Sequence, residues 1–111
     1  MGRASAPNDA TPRHSTDFVG PSVLLLRALA NPERLLLLSS LEIKEQCVSE
    51  LAVTTGIRQP TLSQQLGVLR DQGLVSPRRE GKYIFYRLSS ATVIEFLNLL
   101  RRFARSTVGE A

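Results

Sequence analysis

RQPTLSQQLGVLRDQGLV, residues Arg58 to Val75, carries two patterns on one segment. Leu62, Leu66 and Leu69 recur at i, i+4 and i+7, which predicts a helix with Pro60 at its first position and Gly73 closing it. Counting about 100° per residue from Leu62, the outward side carries Pro60, Gln64 and Gly67, flanked by Thr61 and Val68 on one side and Ser63 on the other. An exposed helix face normally holds charged residues. Here it is short, uncharged and built from amides and hydroxyls.

The segments on either side give that face a context. Upstream, Val48 to about Thr55 reads as a short helix ended by Gly56, which supplies the left-handed backbone a tight turn needs. A helix-turn-helix pair requires a small residue where its helices cross, a glycine-like turn and a later apolar lock. Ala52, Gly56 with Ile57, and Leu62 occupy those places, with Leu51 and Leu66 completing the inner side. Downstream, Val75 to Arg79 and Tyr83 to Leu88 are rich in β-formers around Glu80-Gly81-Lys82, and predict a hairpin.

Further out, Asn31-Pro32-Glu33 is a helix start: an N-cap, a proline at the first position and an acid in the first turn. That helix is expected to reach Leu41, with its Leu35 to Leu38 run at the domain centre. Before it, Pro21 starts a helix whose apolar residues are Val23, Leu24, Leu26 and Leu29. After the hairpin, Ser89 or Ser90 caps a last helix with Val93, Phe96, Leu97, Leu100 and Ala104 on one side. The expected organisation is a disordered arm over residues 1–20, rich in Ala, Pro, Ser and Thr, one folded domain over 21–106, and a tail over 107–111.

This chemistry suits a DNA major groove. Gln pairs two-fold with adenine N6 and N7, Ser and Thr bond base edges or phosphates, and a glycine permits close approach. Thr61, Ser63 and Gln64 are the expected base readers, with Gln59 and Gln65 at the edges. Arg78, Arg79 and Lys82 on the hairpin are the expected phosphate or minor-groove contacts. The charge distribution agrees. From Arg58 to Arg87 there are six basic and two acidic residues, a balance of +4, whereas the remaining eight basic and eight acidic residues cancel.

Composition narrows the alternatives. The chain has 111 residues, one cysteine (Cys47) and one histidine (His14), so a disulfide framework within the chain is excluded and no metal-ligand cluster is expected. No apolar run is long enough to span a bilayer, and the expectation is a cytoplasmic protein without a cofactor. An enzyme is disfavoured by the lack of a base near Cys47, of a glycine-rich phosphate loop and of paired carboxylates. A winged-helix module binding protein rather than DNA would show an apolar or acidic face at 61–65, and this one is neither. A short chain keeps much apolar surface at its boundary, so pairing with a second copy is expected, through Leu24, Val93, Phe96, Leu97 and Leu100.

LANPERLLLL, GIRQPTLSQQLGVLRDQGLV and RREGKYIFYRL together resemble the ArsR family of dimeric bacterial winged helix-turn-helix repressors, over roughly Leu26 to Ala104. More narrowly, the recognition helix is similar to that of the BigR-like branch, which responds to sulfide and persulfide. The resemblance implies a mainly α fold with a β-hairpin wing, and a homodimer paired through its first and last helices. It also implies double-stranded DNA as partner, at an inverted-repeat promoter site, with a ligand or oxidant that weakens binding.

The departures are chemical. Where metal-sensing members carry Cys-Val-Cys, this chain has Cys47-Val48-Ser49, and Ala91 to Arg105 lacks the Asp and His of the alternative metal site. The two BigR-like cysteine positions correspond to Ser39 and Ala104. The resemblance therefore carries no inducer over to this chain. Cys47 stands at an N-cap position with Glu50 three residues on, as in a capping box. One reading is a partly buried thiol with a structural role. The other is a redox switch, favoured by the helix N-terminus and opposed by the Glu50 charge.

Overall fold

The computed structural model describes residues 15–108. Five helices, α1 (Val19–Leu29), α2 (Pro32–Leu41), α3 (Val48–Thr55), α4 (Thr61–Asp71) and α5 (Ala91–Thr107), accompany three strands, β1 (Gln46–Cys47), β2 (Val75–Glu80) and β3 (Tyr83–Leu88). The strands form one antiparallel sheet in the order β1-β3-β2. Among the described residues no helix is long and apolar enough to cross a membrane.

Local chemistry sets most boundaries. The extended backbone of Asn31 turns its side chain back to accept a hydrogen bond from the Arg34 N–H at 3.0 Å, and Pro32 follows at the first helical position. Gly56 ends α3 with φ 76°, the left-handed geometry that the turn into α4 demands. The hairpin turn is tighter than its composition suggests. Glu80 pairs directly with Tyr83, leaving Gly81-Lys82 as a two-residue loop with positive φ only at Gly81, the type II′ pattern.

The core is a leucine cluster. Leu37 and Leu38 of α2, Leu51 of α3, and Leu62, Leu66 and Leu69 of α4 are fully buried, and Leu74, Val75, Tyr86 and Leu88 close it from the sheet. Burial of one such leucine is worth about 1.5–3 kcal/mol, so this seam holds α3 and α4 onto α2.

Several expectations are corrected. α1 begins at Val19 rather than Pro21, and α4 begins at Thr61, with Pro60 just before it. α5 extends to Thr107, and residues 1–14 of the expected arm and 109–111 of the tail lie outside the described residues. The Leu35 to Leu38 run is not buried all round, because Leu36 is 46% exposed and Leu35 half-buried. Ser90 holds the N-cap position of α5 without a side-chain capping bond, while Ser89 Oγ donates instead to the Gly73 carbonyl at 2.6 Å. β1 had no counterpart in the sequence reading. Its Gln46 is buried, donating from Nε2 to the Ser40 carbonyl and hydroxyl at 3.0 Å each and accepting from Thr54 Oγ1 at 3.0 Å.

Candidate nucleic-acid interface

α3 and α4 form the expected helix-turn-helix. Ala52 packs against the core, Ile57 and Leu62 are buried behind the turn, and Ser63 and Gln64 are exposed on the far side of α4, with Thr61 half-buried beside them. Gln59 is exposed, but its Oε1 accepts from the Ser63 N–H at 3.1 Å and from the Ser63 hydroxyl at 2.8 Å. Gln59 thus caps the first turn of α4 and orients Ser63, whose oxygen keeps its lone pairs for a donor outside the chain.

Gln65 does not belong to the exposed face. It is 9% exposed, with Oε1 accepting from Arg34 Nη1 at 2.7 Å and Nε2 donating to Glu33 Oε1 at 2.8 Å. Its position about 60° from Leu62 on the helical wheel carried that signal, since it falls beside the buried stripe.

Gly67 lies between Ser63, Gln64 and Arg70 on the surface of α4. A Cβ built there meets nothing within 4 Å, so packing inside the chain does not require glycine. Gly67→Ala is expected to stabilise the fold by about 0.5–1 kcal/mol, because a mid-helix glycine costs that much relative to alanine. The same substitution should weaken DNA binding if DNA approaches at this point. Thermal unfolding and operator titration of one preparation check both signs.

The wing arginines divide by face. Arg78 is held by Glu45, Nε to Oε2 at 2.9 Å and Nη2 to Oε1 at 3.0 Å, and by Glu80 at 2.9 Å, and its guanidinium lies 4.9 Å from the centre of the Phe85 ring. Hydrogen bonds from Glu45 and then Glu80 push its pKa further up, and the same Arg78 hydrogen bond draws the Glu45 carboxyl below its ordinary value. Arg78 therefore has two carboxylate partners within the chain, and a phosphate would have to compete with them for its guanidinium. Arg79, opposite Ile84 on the other face, is exposed and has no ion pair among the described residues. Lys82 sits at the wing turn, 5.6 Å from the Tyr83 ring centre. Arg58, just ahead of α4, is also exposed and unpaired among the described residues, and the sequence reading passed over it as a site residue.

Cys47 is buried, lining a cleft of about 510 Å³ between the start of α3, Gln59 and Lys82. Its N–H donates to Glu50 Oε1 at 2.9 Å, and its Sγ lies 3.3 Å from Ser49 Oγ. The Cys47 N–H is the main reason that the Glu50 carboxyl titrates below its usual range, so a carboxylate is held beside the thiol. Ser39 and Ala104 line a second cavity of about 260 Å³ between α2 and α5. Arg101 reaches into it, bonded to Glu42 and 3.4 Å from Ser39 Oγ, so the two positions meet in space without a thiol at either.

The expected pairing surface is also revised. Val93 and Leu97 are buried in the protomer's own core, and Phe96 packs partly against it. Leu100 is half-buried and Leu24 is exposed. Exposed apolar groups include Phe18, Val19, Val23, Leu24 and Leu26 around α1, and Ile94, Leu99 and Phe103 on α5. From Leu99 round to Leu97 the apolar arc of α5 spans about 160°, wider than the stripe one core covers.

The profile of the bacterial regulatory protein arsR family matches residues 31–76. The biofilm growth-associated repressor of Agrobacterium fabrum is 54% identical over 77 residues, which cover 67% of this chain and 66% of that protein. The chain thus matches just under two thirds of that relative's length. The crystal structure of the transcriptional repressor BigR from Xylella fastidiosa superposes with a TM-score of 0.71 at 45% identity, covering 78% of this chain and 88% of that one. A homodimeric winged helix-turn-helix DNA-binding domain from Mycobacterium bovis, solved by NMR, gives a TM-score of 0.80 at 27% identity, covering 100% and 95%.

Proposed function

Because the chain belongs to the ArsR family of bacterial regulatory proteins, we propose that it is a cytoplasmic transcriptional repressor that binds an inverted-repeat DNA site as a homodimer. One observation carries the site assignment. Ser63 and Gln64 of α4 are exposed with half-buried Thr61 beside them, an uncharged face, while Arg58, Arg79 and Lys82 are exposed cations without an ion pair among the described residues. Hydrogen-bonding groups at the centre read base edges, and cations at the margin hold phosphates.

The test is selection of a duplex from a random library, followed by anisotropy titration of the selected and a scrambled duplex at matched salt. Specific binding is expected to be about a thousandfold tighter or more. Equal affinities would refute base reading. Arg79→Ala should weaken both duplexes alike and reduce the salt slope by about 1, while Arg78→Ala should leave that slope unchanged, since Glu45 and Glu80 already pair with Arg78.

Switching through Cys47 is the second reading, favoured by its place in the cleft between α3 and the wing. With one thiol per chain, an intrachain disulfide or polysulfide bridge cannot form, leaving a sulfenate, a mixed disulfide or a bridge between subunits. Burial and the neighbouring Glu50 carboxylate oppose all three. Peroxide, polysulfide or zinc is expected to change operator affinity less than about threefold, or roughly 0.7 kcal/mol. A tenfold loss that Cys47→Ser does not show would establish the switch.

A further inference from the structure

The buried amide of Gln65 links three helices. Its Oε1 accepts from Arg34 Nη1 at 2.7 Å, and its Nε2 donates to Glu33 Oε1 at 2.8 Å and, more weakly, to Asn31 Oδ1 at 3.4 Å, so α4 is tied to the first turn of α2. Arg34 continues the link. Its Nε donates to the Ala28 carbonyl at 2.5 Å and its Nη2 to the Arg27 carbonyl at 3.2 Å, both in the last turn of α1. Carbonyls at a helix C-terminus lack partners within the helix and carry its negative pole, so a guanidinium satisfies them in both respects.

The leucine seam of α4 cannot supply what these bonds supply. Apolar burial is non-directional, and a helix resting on Leu62, Leu66 and Leu69 alone is free to roll slightly about its axis. A roll of about 10° displaces a side-chain tip about 6 Å from the axis by about 1 Å. That exceeds the distance tolerance of a hydrogen bond, roughly 0.5 Å. The planar fork of Arg34 and the amide of Gln65 fix the roll by direction.

We propose that Arg34 and Gln65 are positioning residues for DNA recognition, setting the orientation of α4 against α1 and thereby the half-site spacing that the dimer accepts. This rests on the DNA-binding homodimer proposed above. In the homodimer proposed above, α1, which carries part of the uncovered apolar surface, lies near the two-fold axis. An error in the α1–α4 relation then enters twice, once per protomer, and moves the two recognition helices relative to each other.

The experiment compares a series of selected-operator duplexes whose half-sites are moved apart or together by one or two base pairs. The native protein is expected to prefer one spacing by at least about tenfold, or 1.4 kcal/mol. Gln65→Leu should remain a dimer with a cooperative melt and lose about tenfold at that spacing but little at the others, flattening the preference. The paired exchange Glu33→Gln with Gln65→Glu retains an acceptor for Arg34 and a donor across the α2–α4 contact, and should restore the preference. A purely structural role would weaken every spacing in proportion; a preference unchanged in a folded Gln65→Leu dimer, or no rescue by the exchange, would overturn the proposal. If Gln65→Leu does not fold, Arg34→Lys, which keeps the charge and removes the fork, is read in the same way. A native protein that binds no selected duplex would refute the DNA reading itself, and this inference with it.

Discussion

Phe103→Glu is expected to leave the chain folded and to lower operator affinity at least about a hundredfold, by converting the dimer to a monomer. Phe103 is 72% exposed on α5, beside Leu99 and across a shallow apolar cavity from Phe96. Nothing within the described chain covers this face. A two-fold axis through it would bring the same residues of a second copy against it, and a carboxylate placed there would be buried without a partner. A monomer binds one half-site and loses the effective concentration that the second half-site provides. Leu97→Glu is the contrasting variant. Leu97 is 4% exposed within the leucine core, so a charge there should unfold the domain rather than divide the dimer. Sedimentation and thermal unfolding separate the two outcomes; a well-folded native monomer at micromolar concentration would refute the pairing.

Gln64→Ala is expected to cost about 1–3 kcal/mol, and to do so at a single base-pair position of each half-site. Gln64 is exposed at the middle of the outward face of α4, and no hydrogen bond occupies its amide among the described residues. A bidentate pair with an adenine edge is lost when the amide is removed, and the variant then tolerates any base there. Titrating the native and variant proteins against every substitution at each operator position should show one position where only the native protein discriminates. Uniform weakening at all positions would assign Gln64 to the backbone instead of a base.

Much of this site was legible because its signals are local. The Asn31 cap, the Gly56 turn, the Leu62-Leu66-Leu69 stripe and the hairpin each rest on residues close together in the chain, and each formed, the hairpin with a turn one residue tighter than expected. What escaped depends on distant partners. Arg78 and Arg79 look alike in sequence, and the carboxylates of Glu45, 33 residues before Arg78, and of Glu80 distinguish them. Gln65, expected at the edge of the reading face, lies beside the buried stripe, and its partners Arg34 and Glu33 stand more than 30 residues away in the chain. α5 misled in another way, since its apolar stripe was assigned to pairing while Val93 and Leu97 are buried in the protomer's own core. β1 spans two residues, too few for an alternation to show.

In the homodimer proposed above, the uncovered half of α5 also ties the output to the quantity of chain present. Well below the dissociation constant of the dimer, mass action makes its concentration vary with the square of the protomer concentration. Halving synthesis would then remove about three quarters of the dimer, so occupancy at a promoter would fall more steeply than protein abundance. Dilution through growth alone could relieve repression, with no small molecule bound and no thiol modified.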